Sequence, residues 1–168
     1  MSLFGETFHS FEDLFVSQIE DLYDAEQRIT KALPKMIEAA SSSSLKQALQ
    51  SHLTETQQQV DRLEGIFQQL NRSPTRQTCD AMKGLLAEGE HMIKADAAPD
   101  IKDAALIAAA QRVEHYEISG YGTARTFALR LGHADAAALL QATLQEEINA
   151  DKKLTEIAES SVNVRAAR

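Results

Sequence analysis

Four stretches of this chain place acidic side chains where the surrounding spacing calls for apolar ones. Leu140, Leu144, Glu147, Asp151, Leu154 and Ala158 recur at intervals of three and four, which is one face of an α-helix. Ala110, Glu114, Glu117, Tyr121 and Ala124 form a second such stripe, and Phe15, Leu22, Glu26, Ile29 and Leu33 a third. Leu45, Leu49, His52, Glu55, Gln59 and Leu63 form a fourth, with Glu55 nearer its edge. A carboxylate taken out of water must be protonated, paired with a base or bound to a cation. None of the four stripes contains Lys or Arg. A bound metal is then the economical solution, and oxygen ligands with one imidazole suit iron or manganese, with zinc also in range. The plainer reading is that a Glu pair three residues apart marks a solvated helix face. Spacing alone leaves both readings open, although the coincidence recurs at comparable heights on four stripes.

The elements that must position these residues are legible from periodicity and breakers. Hydrophobic residues make up 43% of the 168-residue chain, with only 3 Pro and 7 Gly, and β-branched residues never alternate in runs. That composition predicts an all-α domain spanning 1–168. Helices are expected over roughly 10–40, 44–70, 80–95, 101–131 and 134–160. Ser10 can cap the first, with Glu12 and Asp13 favouring its positive end. Pro34 should kink or break it. Gly132 is a natural C-terminal cap for the 101–131 helix, and Ser161–Arg168 reads as a frayed tail. Short connections imply antiparallel neighbours, and the one long connection, 74–100, carries a short extra helix. The fold predicted is an antiparallel four-helix bundle with one long crossover, which is the ferritin-like topology.

Charge and cysteine usage narrow the function classes. A net charge of -8 opposes nucleic-acid binding, for which basic patches are needed. No apolar run approaches the roughly 20 residues of a membrane span. Met1–Asp13 does not read as a secretory signal, because no basic stretch precedes an apolar core. The lone Cys79 suits a reducing cytoplasm, where the protein is expected to reside. It packs the crossover rather than serving as a nucleophile.

At the same residues the sequence resembles a known family. The segments are Leu22-Tyr23-Asp24-Ala25-Glu26-Gln27 with Lys31-Ala32-Leu33-Pro34-Lys35-Met36, then His52-Leu53-Thr54-Glu55-Thr56. They continue through Asp103–Ile118, Tyr121-Gly122-Thr123, Leu144-Gln145-Glu146-Glu147 and Asp151. They resemble the YciF/YciE-type ferritin-like proteins of bacteria, the DUF892 family, over nearly the whole chain. The resemblance implies a dimeric four-helix bundle, an association with stress responses and a rubrerythrin-like pocket for two metal ions. It places Glu26 at the first-helix ligand position, Glu114 and Glu117 at the third and Glu147 at the fourth. Asp151 lies one residue past the usual partner of Glu147 but on the same face. The second helix departs from the pattern: Glu55 is followed three residues on by Gln58, and the imidazole, His52, precedes it. Either His52 binds from the preceding turn or Glu55 binds alone with a water.

The candidate metal ligands are thus Glu26, His52, Glu55, Glu114, Glu117, Glu147 and Asp151, for two metal ions, iron first, with manganese or zinc as alternatives. In the oxidant-handling reading Glu55 and Glu117 bridge the pair. Tyr121 is read as a core tyrosine that could also hydrogen-bond a ligand carboxylate; Tyr23, Tyr116 and His115 are read as packing, interface or surface residues. Three functions stay open. The bundle handles dioxygen or peroxide with an external reductant, or the metal only stabilises it, or its homodimer surface is the functional part. No rubredoxin-type cysteine site is present to supply electrons from within the chain.

Overall fold

A computed structural model describes residues 7–168, and among them every regular element is helical. Residues 1–6, where half of the segment read for a secretory signal falls, lie outside the described residues. The elements are α1 (Phe11–Ala39), α2 (Ser43–Gln69), α3 (Asp80–Lys94), α4 (Pro99–Leu131), α5 (Ala134–Ile157), a π turn (Ala158–Val162) and α6 (Asn163–Ala166).

The helix ends follow local chemistry. Ser10 Oγ accepts from the Asp13 backbone N–H at 3.0 Å, closing the first turn of α1. Pro99 opens α4, where its missing N–H would have no partner anyway. Asn71 (φ 54°) and Gly132 (φ 83°) take the left-handed conformation just past α2 and α4. The next N–H in each case turns back to the helix, Arg72 to Phe67 O and His133 to Ala128 O, both at 2.9 Å.

α1 runs on through Pro34 to Ala39, within the expected 10–40 span, and Leu33 and Met36 on either side of the proline are buried in the core. One expectation is corrected. The tail does not fray from Ser161. The π turn inserts an extra residue that keeps Val162 fully buried, and Arg165 Nε donates to Asp100 Oδ1 at 2.7 Å.

α1, α2, α5 and α4 form a closed ring of four helices in which each packs against its two neighbours, and α3 lies outside on α1 and α4. Residue pairings give the directions. Glu12 meets His133 and the Ser41 backbone meets Asp103, so α1 and α4 run antiparallel. Gln59 meets Glu147 and Arg62 meets Thr143, while Gln111 meets Asp151 and Arg125 meets Gln141, so α5 is antiparallel to both α2 and α4. The crossover through α3 must therefore carry the chain back along the bundle. Buried Asp103 fixes its far end, accepting from the Ser41 and Ser42 backbone N–H groups at 2.7 Å each. Gly120 lets α4 lie close on α1, since a Cβ there would stand 2.8 Å from Leu22 Cδ2.

The apolar core is divided in two. One half gathers Ile29, Leu33, Leu45, Leu49, Leu106 and Leu154. The other gathers Phe15, Ile19, Leu63, Phe67, Ala124 and Leu140. Between them, on every helix of the ring, the buried side chains are polar: Glu26, His52, Thr56, Gln59, Glu114, Glu117 and Glu147.

Candidate metal centre

The middle of the bundle is a layer of carboxylates around one imidazole. His52 from α2, Glu114 and Glu117 from α4 and Glu147 from α5 each offer one ligand atom, and these atoms all lie within 4.8 Å of one another. All four residues are buried. Glu26 of α1 is fully buried beside them, and Tyr121 Oη donates to its Oε1. The two apolar half-cores cover the layer from above and below.

Hydrogen bonds hold the rim of the layer and leave its centre unanswered. Gln59 Nε2 donates to Glu147 Oε1 and, at 3.0 Å, to Glu146 Oε2. Arg62 makes a two-pronged pair with Glu146 at 2.5 and 2.7 Å, outside the layer. Among the described residues, nine buried side-chain nitrogen or oxygen atoms have no hydrogen-bond partner in the protein. Seven of them belong to Glu26, His52, Glu114, Glu117 and Glu147. Buried polar atoms are ordinarily paired, so such a concentration in one layer is a donor set facing inward on something other than protein.

The electrostatics agree. Burial, then the charge of Glu147, pushes the Glu26 carboxyl up to about 8. Glu114 and Glu117 are pushed well above the usual carboxylate range, chiefly by burial and then by the neighbouring acidic groups, with His52 opposing this at Glu114. Burial works against protonating His52, but Glu114, Glu55, Glu147 and Glu26 together overcome it and raise the imidazole to about 10. Carboxylates this unwilling to ionise on their own are ones a cation would stabilise.

The structure brings five of the seven sequence candidates together and leaves two outside. Glu55 is 39% exposed at its side chain, with Oε2 3.9 Å from His52 Nδ1, and is not one of the four mutually close ligands. Asp151 turns towards the α4 side of α5, where Gln111 Nε2 donates to its Oδ1 at 2.9 Å and His115 Nε2 lies 3.4 Å away. The extra residue of spacing after Glu147 rotates Asp151 out of the layer. His115 is 69% exposed, as its position beside Glu114 required.

Sequence reasoning missed Asp24. It is buried, and Arg28 Nε, Arg76 Nη2 and the Cys79 backbone N–H reach its oxygens at 2.5, 2.6 and 2.9 Å. Its local signal was Arg28, one turn on, but Arg76 comes from the crossover, 52 positions away. Cys79 is fully buried at the start of α3, where its Sγ accepts from the Met82 N–H and lies 3.0 Å from Tyr116 Oη.

Comparison with known proteins places the bundle in a family. The family described as "Domain of unknown function (DUF892)" matches residues 10–167. The chain belongs to the DUF892 family. Within it, the chain is 44% identical over 158 residues to Protein YciF of Escherichia coli (strain K12), covering 94% of this chain and 95% of that protein. The crystal structure of the E. coli stress protein YciF matches the bundle with a TM-score of 0.89 at 43% identity, covering 93% of this chain and 99% of that one. YcfI from Rhodopseudomonas palustris matches with a TM-score of 0.87 at 44% identity, covering 91% and 98%. A Xanthomonas campestris protein with 21% identity shares the fold, with a TM-score of 0.75. The DUF892 bundle is therefore the frame in which the polar layer sits. No helix among the described residues is long and apolar enough to cross a membrane.

Proposed function

We propose that Glu26, His52, Glu114, Glu117 and Glu147 hold two metal ions, iron in the first place, and that the loaded bundle handles dioxygen or peroxide with electrons supplied from outside the chain. The observation that carries this reading is the seven unpartnered buried atoms on those five side chains. Charge counting supports the number of ions. Four ionised carboxylates balance two divalent cations when His52 is neutral, whereas one protonated imidazole balances a single carboxylate. A set of oxygens with one nitrogen suits iron or manganese better than metals that prefer sulfur or several imidazoles. Iron in such a site would supply the electrons and the Lewis acidity for reaction with an oxidant.

The chain's own residues prepare the layer. Tyr121 holds Glu26 by one oxygen and leaves the other facing the layer. Gln59 does the same for Glu147. Such outer contacts orient ligands and set their basicity. The apolar half-cores exclude water and keep the carboxylates from drifting to solvent. That a relative 43% identical to this chain is described as a stress protein supports a protective setting.

A second reading, in which the metal only cross-links the four helices, is favoured by the single imidazole in the layer. Anaerobic ferrous titration followed by exposure to air separates the two. Uptake of two ferrous ions per chain and prompt growth of ferric absorbance supports oxidant handling. Uptake with a raised melting temperature and no oxidation supports the structural reading. Failure to take up ferrous ion contradicts both.

A further inference from the structure

A buried layer that binds cations needs a way in, and the seams of the bundle differ in how firmly they are shut. On one side of the layer Gln59, Arg62 and Glu146 latch α2 to α5, with Arg62 Nη1 also donating to Thr143 Oγ1 at 3.2 Å. Between α4 and α5, Gln111 Nε2 donates to Asp151 Oδ1 and to Thr155 Oγ1 at 2.9 and 2.8 Å. Towards α1, Tyr121 closes over Glu26. On the other side of the layer, α2 and α5 part around a cavity of about 520 Å³ whose wall includes both His52 and Glu114. Three further surface cavities touch none of the five residues of the layer.

We propose that this cavity is the port through which divalent cations reach the layer, and that Glu55 is the side chain that takes the cation at its mouth and passes it to His52 and Glu114. The inference rests on the metal reading above. His52 lies between an outer and an inner carboxylate. Its Nδ1 is 3.9 Å from Glu55 Oε2, its Nε2 is 3.4 Å from Glu114 Oε1, and neither nitrogen makes a hydrogen bond in the protein. Glu55 is the one half-exposed carboxylate on the cavity wall, and Glu114 is the buried one. A hydrated cation leaving water must exchange its shell for protein oxygens step by step. Glu55, Ser51 and Asn149 offer such oxygens along the wall. Lys153, the one lysine or arginine on that wall, leans on Glu156 at 3.4 Å. This also accounts for a carboxylate that the sequence places near the stripe and the structure places just outside the layer: Glu55 serves passage rather than residence.

The test is the rate of cobalt(II) uptake by the metal-free full chain, followed by its visible absorption in a stopped-flow instrument, together with the final stoichiometry. Glu55→Gln should slow uptake by about tenfold, the scale on which one well-placed charge guides a cation into a cleft, and leave the final stoichiometry unchanged. Ala48→Leu, which narrows the wall without touching a carboxylate, should also slow uptake and leave the endpoint unchanged. Rates within twofold of the unsubstituted chain for both variants, with full uptake, would overturn the port and leave the metal reading standing. A lower final stoichiometry in Glu55→Gln would make Glu55 a resident ligand and overturn its transit role. No cobalt uptake by the unsubstituted chain would overturn the port and the metal reading together.

Discussion

Asp24 and Glu26 stand two residues apart on α1, both buried, and the protein treats them in opposite ways. Burial alone would raise Asp24, yet Arg28, the Cys79 N–H and Arg76 hold its carboxyl below the ordinary 3.8. Asp24 thereby ties α1 to the crossover that delivers α3. Glu26 receives only a phenol and faces three more carboxylates, and its carboxyl is driven up to about 8. A carboxylate with its cations built in is a structural joint. A carboxylate whose neighbours are other carboxylates is one that a proton or a cation from outside can stabilise. The same helix turn therefore holds one acidic residue that completes the fold and one that belongs to the polar layer.

The contrast can be broken most sharply at the layer itself. Glu114→Ala and Glu147→Ala should each abolish metal binding, read as metal per chain by elemental analysis. Either variant binding normally would remove that residue from the site. In the metal-free protein, Glu117→Gln should unfold at equal or higher denaturant than the unsubstituted chain, because one source of like-charge repulsion is gone. Asp24→Ala should do the reverse. It leaves the buried Cys79 backbone N–H unpaired and releases Arg28 and Arg76 to solvent, and should cost about 1–3 kcal/mol in a urea melt, with or without metal. A cost below about 1 kcal/mol would mean that the joint is ornamental.

Acidity sharpens the comparison. Between the ordinary 4.5 of a glutamate and about 8, folded Glu26 keeps a proton that the unfolded chain has lost. Between the ordinary 6.5 of histidine and about 10, folded His52 does the same. Both contributions are fully present at low pH and are lost as pH rises, so the metal-free melting temperature should fall from pH 5 to pH 9. Asp24 works the other way, giving stability above 3.8 that disappears only in stronger acid. Thermal melts in chelator at pH 5, 7 and 9 would show this, and a melting temperature that rises across that range would contradict it. The smallest effect is expected at Tyr121→Phe. It removes the one donor to Glu26 and should cost about 1–2 kcal/mol in the metal-free protein, measured by urea unfolding.

Much of the fold was legible because its signals are local. Ser10 and Gly132 mark helix ends by chemistry that needs only neighbours in sequence, and the three-four spacing indicated which faces turn inward. The layer was legible only in part: Glu114 and Glu117, and Glu147 between Leu140 and Leu154, interrupt apolar stripes, but a solvated helix face gives the same spacing, and only the tertiary structure buries them. What stayed hidden depends on partners distant in sequence or on small rotations. Asp24 looks like any acidic residue beside Glu26 until Arg76 arrives from the crossover. Asp151 and Glu55 fall on the right face to within one residue, yet that residue's rotation separates a place in the layer from a place at its edge. The helical tail was hidden because a π turn shifts the phase that periodicity assumes, carrying Val162 inward five residues after Ile157.

If the polar layer is a metal centre, it must take up iron and keep it. Elemental analysis of the full chain, purified without a metal-chelating tag and then equilibrated anaerobically with ferrous ion and desalted, tests it most directly. The account predicts about two iron atoms per chain, lost in Glu114→Ala and retained in Asp24→Asn. Protein that retains no iron, and none of manganese, zinc or cobalt offered in its place, would contradict it.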